Sequence, residues 1–230
     1  MALALLGGVV GLDAASCPQV MISRPVVAGP LAGLLLGSPA TGLWIGALLE
    51  ILTLRQLPVG ASRYWDTGPA AVAATAAAAG FAGAGGAVGA VGAGGAEARY
   101  VLAVALGVLV GWVGSWSVYA MRRANARLVG ALGERSVSPR ELEIKHLLAM
   151  AMDFGRATAL TALGVIIAVA LAHSVDLSFG SADAAGAILL AVAASLALGA
   201  DIGTMQKGRP VFVGFFLAAF ASGAVLLWLS

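Results

Sequence analysis

Charge is what this chain has least of: 10% of its 230 residues are Asp, Glu, Lys or Arg, and aromatic residues add 7%. A soluble domain carries about a quarter charged residues, laid out as polar stripes along its helices. Here most segments are apolar on every face, with 60% hydrophobic residues and a mean hydropathy of +0.98, which excludes a water-soluble core. The single cysteine, Cys17, excludes an internal disulfide and a thiolate zinc cluster, and reads as a small apolar filler. With 13 Lys+Arg against 11 Asp+Glu and no basic stripe interleaved with aromatics, the pI near 9.0 does not point to nucleic acid. A Walker-type phosphate loop, His/Cys metal spacing and a nucleophile–base pairing are also missing, so no catalytic residue, metal or cofactor is expected.

What remains is an all-α polytopic transmembrane protein, one membrane domain over residues 1–230 with the lipid bilayer as its solvent. Its first segment has no basic n-region and no A-x-A-like cleavage site, and is expected to stay in the protein. Residues 3–12 are apolar but fall short of the roughly 20 that a spanning helix needs, so a partial or re-entrant piece ending at Asp13 is expected. Arg24-Pro25 opens a second short run that stops at Gly37-Ser38-Pro39, residues 41–54 form a third, and Pro58, Gly60 and Pro69 break the chain after it. Short hydrophobic pieces broken by Gly and Pro are the pattern of discontinuous helices around a transport site.

Residues 70–95 are Ala/Gly low complexity, read as a helix to about Phe81 that lets neighbours approach closely, then a looser stretch. Residues 99–121 form a clear span with Trp112, Trp116 and Tyr119 towards one end. Arg122, Arg123, Arg127, Arg135, Arg140 and Lys145 follow, and the positive-inside rule makes residues 122–145 a cytoplasmic loop of a multi-pass inner (plasma) membrane protein. Ser138 and Glu141 have the spacing of a capping box at the next helix start. Residues 146–172 are a span carrying Asp153 and Arg156 on one face, where a structural ion pair and a part of the transport site are both open readings. Residues 184–200 and 210–229 supply two more apolar runs, and Gln206 with Arg209-Pro210-Val211 faintly echoes Gln19 with Arg24-Pro25-Val26, as an inverted repeat would.

The most informative residue is Glu50, alone in LWIGALLEILTL. A carboxylate at the bilayer centre costs about 2.5 kcal/mol or more, so Glu50 must meet a cavity, other protein, or a cation such as Arg24 or Arg55.

Residues 19–71 resemble the enzyme IIC subunit of the mannose/fructose/sorbose-type phosphotransferase permeases. The resemblance rests on QVMISRPVVAGPLAGLLLGSPATGLWIGALLEIL and LPVGASRYWD, against a pattern of Q-x-M-I-S-R-P, a G-L-x-L-G-D turn, T-G-L-x-I-G-A-x-L-E-L, P-V-G-A and P-P-D. Gly11-Leu12-Asp13 is a further element. The chain departs at Gly37-Ser38 and at Tyr64-Trp65-Asp66, and is expected to lack a last hydrophobic segment. The resemblance implies a non-catalytic permease subunit that moves a hexose-type sugar with a IID membrane partner and soluble IIA and IIB subunits, in an oligomer. In that scheme the phosphoryl group passes from a phosphohistidine on IIB to the sugar and IIC is not itself phosphorylated, so His146 is read as an interfacial residue. Glu50, Asp66 and Gln19 are the expected sugar contacts, since carboxylates and amides pair with adjacent hydroxyls. Trp44 or Trp65 would cover the apolar ring face, and Asp13 and Arg24 would support the site. The departures leave open an orphan membrane anchor or sensor of a regulatory phosphorelay. A vitamin-transporter binding subunit fits composition but not the motif run.

The topology is testable directly: Ser136→Cys is expected to react with a membrane-impermeant maleimide in inverted vesicles and not in intact cells, and labelling of intact cells reverses the assignment.

Overall fold

A computed structural model describes residues 1–54, 56, 64–83, 96–130 and 138–174. They form α1 (Ala2–Ala15), α2 (Pro25–Leu35), α3 (Pro39–Thr53), α4 (Thr67–Gly83), α5 (Ala96–Gly130) and α6 (Pro139–Ser174), with no strand among the described residues. The all-α expectation therefore holds. The apolar runs at 184–200 and 210–229, the repeat echo, the Gly-rich residues 84–95 and Arg55 lie outside the described residues.

Helices α5 and α6 are long and apolar enough to cross a membrane, over Arg99–Leu128 and Pro139–His173. At 1.5 Å per residue, α1, α2 and α3 reach about 21, 16 and 22 Å, short of a hydrocarbon core of about 30 Å. Residues 122–130, expected within a loop, are helical, and α6 begins at Pro139, at the helix start expected from Ser138. The physical reason is that Arg and Lys favour helix and no Pro or Gly interrupts α5 between Arg122 and Gly130. At the start of α6 the Ser138 hydroxyl accepts from the Glu141 amide at 3.2 Å, as the capping spacing requires. Asp13 does not end α1, which continues to Ala15, and Pro39 begins α3 where an interruption was expected. Pro69 lies in the first turn of α4, where its missing N–H has no intrahelical partner to lose.

The Ala-rich α4 sits at the centre and packs against all five other helices. Its Ala70, Ala71, Val72, Ala73, Ala74, Ala77, Ala78 and Phe81 are all buried. A helix surrounded on every side needs short side chains if its neighbours are to close on it, which explains the low complexity of this segment. α5 answers with Gly107, which meets Ala74 and Leu49, and Gly111, which meets Ala70 and Trp65.

Helices α2 and α3 form a hairpin whose contact is almost pure backbone. A Cβ on Gly42 would overlap the Gly29 carbonyl, and one on Gly33 would come within 2.6 Å of the Ser38 carbonyl oxygen. The turn between them uses Gly37 at φ +70, and the Ser38 amide donates back to the Gly33 carbonyl at 2.7 Å. Gly42→Ala should therefore force the helices apart and cost about 3 kcal/mol, the upper range for overpacking, read as a lower thermal midpoint in detergent. Gly155→Ala, where an added Cβ meets nothing within 4 Å, should leave that midpoint unchanged or higher.

Candidate functional site

The connection between α1 and α2, residues 16–24, is an irregular segment held by side chains from four directions. Two of its non-glycine residues, Gln19 and Met21, have φ of 59 and 67, a conformation that costs about 1–3 kcal/mol each and persists only where the surroundings impose it. Asp13, buried in α1, accepts from the Val20 amide at 2.6 Å and the Ser23 amide at 3.0 Å, one per carboxylate oxygen. The Thr67 hydroxyl donates to the Ser23 carbonyl at 3.2 Å. At one end Ser16 reaches Asp153 in α6, and at the other Arg24 reaches Glu50 in α3.

The Ser16 end opens on a buried polar network. Asp66, just ahead of α4, and Asp153 are both fully buried, and Arg156 stands between them. Its Nη1 donates to Asp66 Oδ2 at 2.5 Å and to the Ser117 hydroxyl at 2.9 Å, while its Nε donates to Asp153 Oδ1 at 2.9 Å. Nη2 is 2.9 Å from that same Oδ1 but makes no hydrogen bond of its own among the described residues. Asp153 Oδ2 accepts from the Ser16 hydroxyl at 2.9 Å. The planar guanidinium fork suits such a junction, since it can serve several acceptors from one rigid group. Among the described residues, Asp66 Oδ1 is buried and has no donor.

Asp66 is itself tightly placed. Its amide donates to the Gly111 carbonyl at 3.1 Å, its carbonyl accepts from the Ala70 amide at 3.2 Å, and Gly114 leaves room for its Cβ. Of the two residues before it, Tyr64 is buried with its hydroxyl 3.4 Å from the Ala14 carbonyl and the Arg122 guanidinium 5.1 Å above its ring. The Trp65 amide donates to Gln56 Oε1 at 2.9 Å.

The Arg24 end is simpler. Glu50 Oε1 pairs with Arg24 Nη2, and Oε2 lies 3.4 Å from the Val26 amide. Both side chains keep some exposure, 28% for Arg24 and 15% for Glu50. Gln19 and Trp44 are exposed and Trp65 is half-buried. The side chains of Gln19, Glu50 and Asp66 thus share no direct bond. They are linked instead through residues 16–24, with Gln19 inside the segment and the two carboxylates beyond its two ends. Cys17, expected as an apolar filler, is exposed in this segment because the chain has left the helical core there.

A family model of the phosphotransferase system sorbose-specific IIC component matches residues 1–227. The chain belongs to that family. A comparison with curated proteins gives no match. As a sorbose-type IIC component it is a membrane protein, the sugar-translocating subunit of a phosphotransferase system that works with other components of that system.

The residues that surround Asp66 are not among the sugar contacts expected from the sequence. Arg156 and Asp153 are visible there as charges three apart in an apolar helix, whereas Ser16 and Ser117 give no signal. Removing Arg156 would strand two carboxylates in an apolar interior, and breaking a buried pair this way costs about 3–5 kcal/mol. Arg156→Met is expected to lower the unfolding midpoint in detergent accordingly. Adding Asp66→Asn and Asp153→Asn to it should recover most of the loss.

Proposed function

We propose that this IIC component carries a hexose-type sugar across the inner membrane as part of an oligomer with a IID membrane subunit, handing it to soluble IIA and IIB subunits for phosphorylation. In this reading the protein is multi-pass, residues 122–145 face the cytoplasm, and Asp66, Glu50 and Gln19 are the sugar contacts. The observation that carries the site is Asp66 Oδ1, a buried acceptor without a donor among the described residues, whose twin Oδ2 is fixed by Arg156. A buried carboxylate oxygen left unpaired is costly, and a sugar hydroxyl is a donor of the right kind to remove that cost.

Glu50 contributes differently. Arg24 pairs with Oε1, and Oε2, which takes only a long contact of 3.4 Å from the Val26 amide, keeps room to accept from a hydroxyl. Gln19, exposed on the strained segment, can offer both a donor and an acceptor. Trp44 and Trp65 are candidates to cover the apolar face of the ring, and Asp13 and Arg24 act by shaping the segment. Membership of a sugar-translocating family favours transport over an anchor or sensor of a phosphorelay.

A charge-assisted hydrogen bond is worth about 1.5–3 kcal/mol, or roughly 10- to 100-fold in binding. Asp66→Asn and Glu50→Gln should each cut sugar-dependent phosphorylation in membrane vesicles by that factor while the protein still inserts and keeps its melting midpoint. Unchanged uptake in either variant removes that residue from the site.

A further inference from the structure

The buried network does not balance its acids with bases. Among the described residues one guanidinium, Arg156, faces two fully buried carboxyl groups, Asp66 and Asp153, so the cluster holds more acid than base. Hydrogen bonding is just as uneven. Asp153 is satisfied on both oxygens, by Arg156 Nε and by the Ser16 hydroxyl. Among the described residues Asp66 is satisfied on Oδ2 alone. In this acid-rich cluster the missing donor falls on one atom, Asp66 Oδ1.

A carboxylate paired one-to-one with an arginine is a weakened acceptor, because the cation already draws on its charge. Asp153 competes for that cation from the opposite side of the guanidinium. We propose that Asp153 is a positioning residue for sugar binding: by engaging Arg156 through Nε it aims Nη1 at Asp66 and shares the positive charge, so that Asp66 keeps a full-strength acceptor for a sugar hydroxyl. This rests on the reading of Asp66 as a sugar contact. It adds that acceptor strength is maintained at the expense of stability, since the interior would tolerate a neutral cluster more easily than a charged one. The arrangement also reaches Ser16, whose hydroxyl fixes the second oxygen of Asp153 at the start of the irregular segment.

The test uses Asp153→Asn, which keeps the size of the side chain and an oxygen for Arg156 Nε, lets the Ser16 hydroxyl turn to accept from the new amide, and removes the charge. In proteoliposomes assayed with the partner subunits, the apparent KM for the transported sugar should rise about tenfold, with the maximal rate within about twofold, while the melting midpoint in detergent stays equal or rises. Opposite movement of affinity and stability is the signature. A purely structural Asp153 would lower both, or would lower stability with KM unchanged, and either result overturns the proposal. Ser16→Ala removes a hydrogen bond from Asp153 but no charge, and should shift KM less than threefold; a shift as large as that of Asp153→Asn also overturns it. Asp66→Asn is run in parallel. If that variant transports normally, the assignment of Asp66 fails; if it is defective while Asp153→Asn keeps the parent KM, the failure lies with the positioning role alone.

Discussion

The Arg156 guanidinium is the interaction on which the arrangement of this protein turns. A charge in an apolar bundle must be met by opposite charge and by hydrogen bonds, and here the partners come from four separate places in the chain: Asp66 ahead of α4, Ser117 in α5, Asp153 one turn back in α6, and Ser16 through Asp153. Each is separated from Arg156 by an amount that only the folded bundle removes, apart from the local i,i+3 pair. Misplacing any of these elements would leave a buried group unpaired, so the network selects one docking of α1, α5 and α6 around the start of α4.

That docking is possible only because the surfaces involved are small. Alanines around α4 and glycines along α5 bring backbones close enough for a short aspartate to reach an arginine on another helix. The Cβ that Gly114 lacks is the space where the Asp66 Cβ lies. In the α2–α3 hairpin the same device serves another end. Helices too short to cross the bilayer must satisfy and bury their own connection, and Gly29, Gly33, Gly42 and Gly46 let them pair backbone to backbone. One face of α3 puts Ile45 and Leu49 into the core, while Leu43, Trp44 and Ile51 are left on the outside.

The sequence is most legible where polarity conflicts with its surroundings. Glu50 in an apolar run demands a cavity, other protein or a cation, and Arg24, one of the two arginines near it in sequence, supplies the cation. Asp153 and Arg156, three apart in one apolar run, can be read as a pair from their spacing alone. Helices α4, α5 and α6 lie within a few residues of the hydrophobic runs at their centres, but their ends do not, because basic residues that mark a membrane boundary continue a helix as readily as they end one. The reach of Arg156 to Asp66, 90 positions away in sequence, is not legible. Nothing in a single sequence distinguishes a serine such as Ser16 or Ser117 that completes a buried network from one that faces solvent. Asp13 illustrates the same limit: its position near a helix end suggests an interruption, whereas its role is to accept two amides from a segment that follows it.

Where this chain departs from the family pattern, contacts take over from backbone restraint. A Pro-Pro pair ahead of the aspartate would fix its backbone through restricted φ alone. Tyr64 and Trp65 achieve placement by contact instead: the Tyr64 ring is buried under Arg122 with its hydroxyl turned to α1, and the Trp65 amide, which a proline would lack, is held by Gln56. Asp66 then arrives at Arg156 with its own amide bound to α5. At the hairpin turn, Gly37 retains the left-handed conformation and Ser38 replaces a charged side chain by a hydroxyl that donates to Thr41 at 2.7 Å. Ser38 is the buried residue of that turn, so a charge there would need a partner, and its hydroxyl removes the need. At both departures contacts within the chain hold the backbone, so these positions bear on rigidity more than on the chemistry at Asp66.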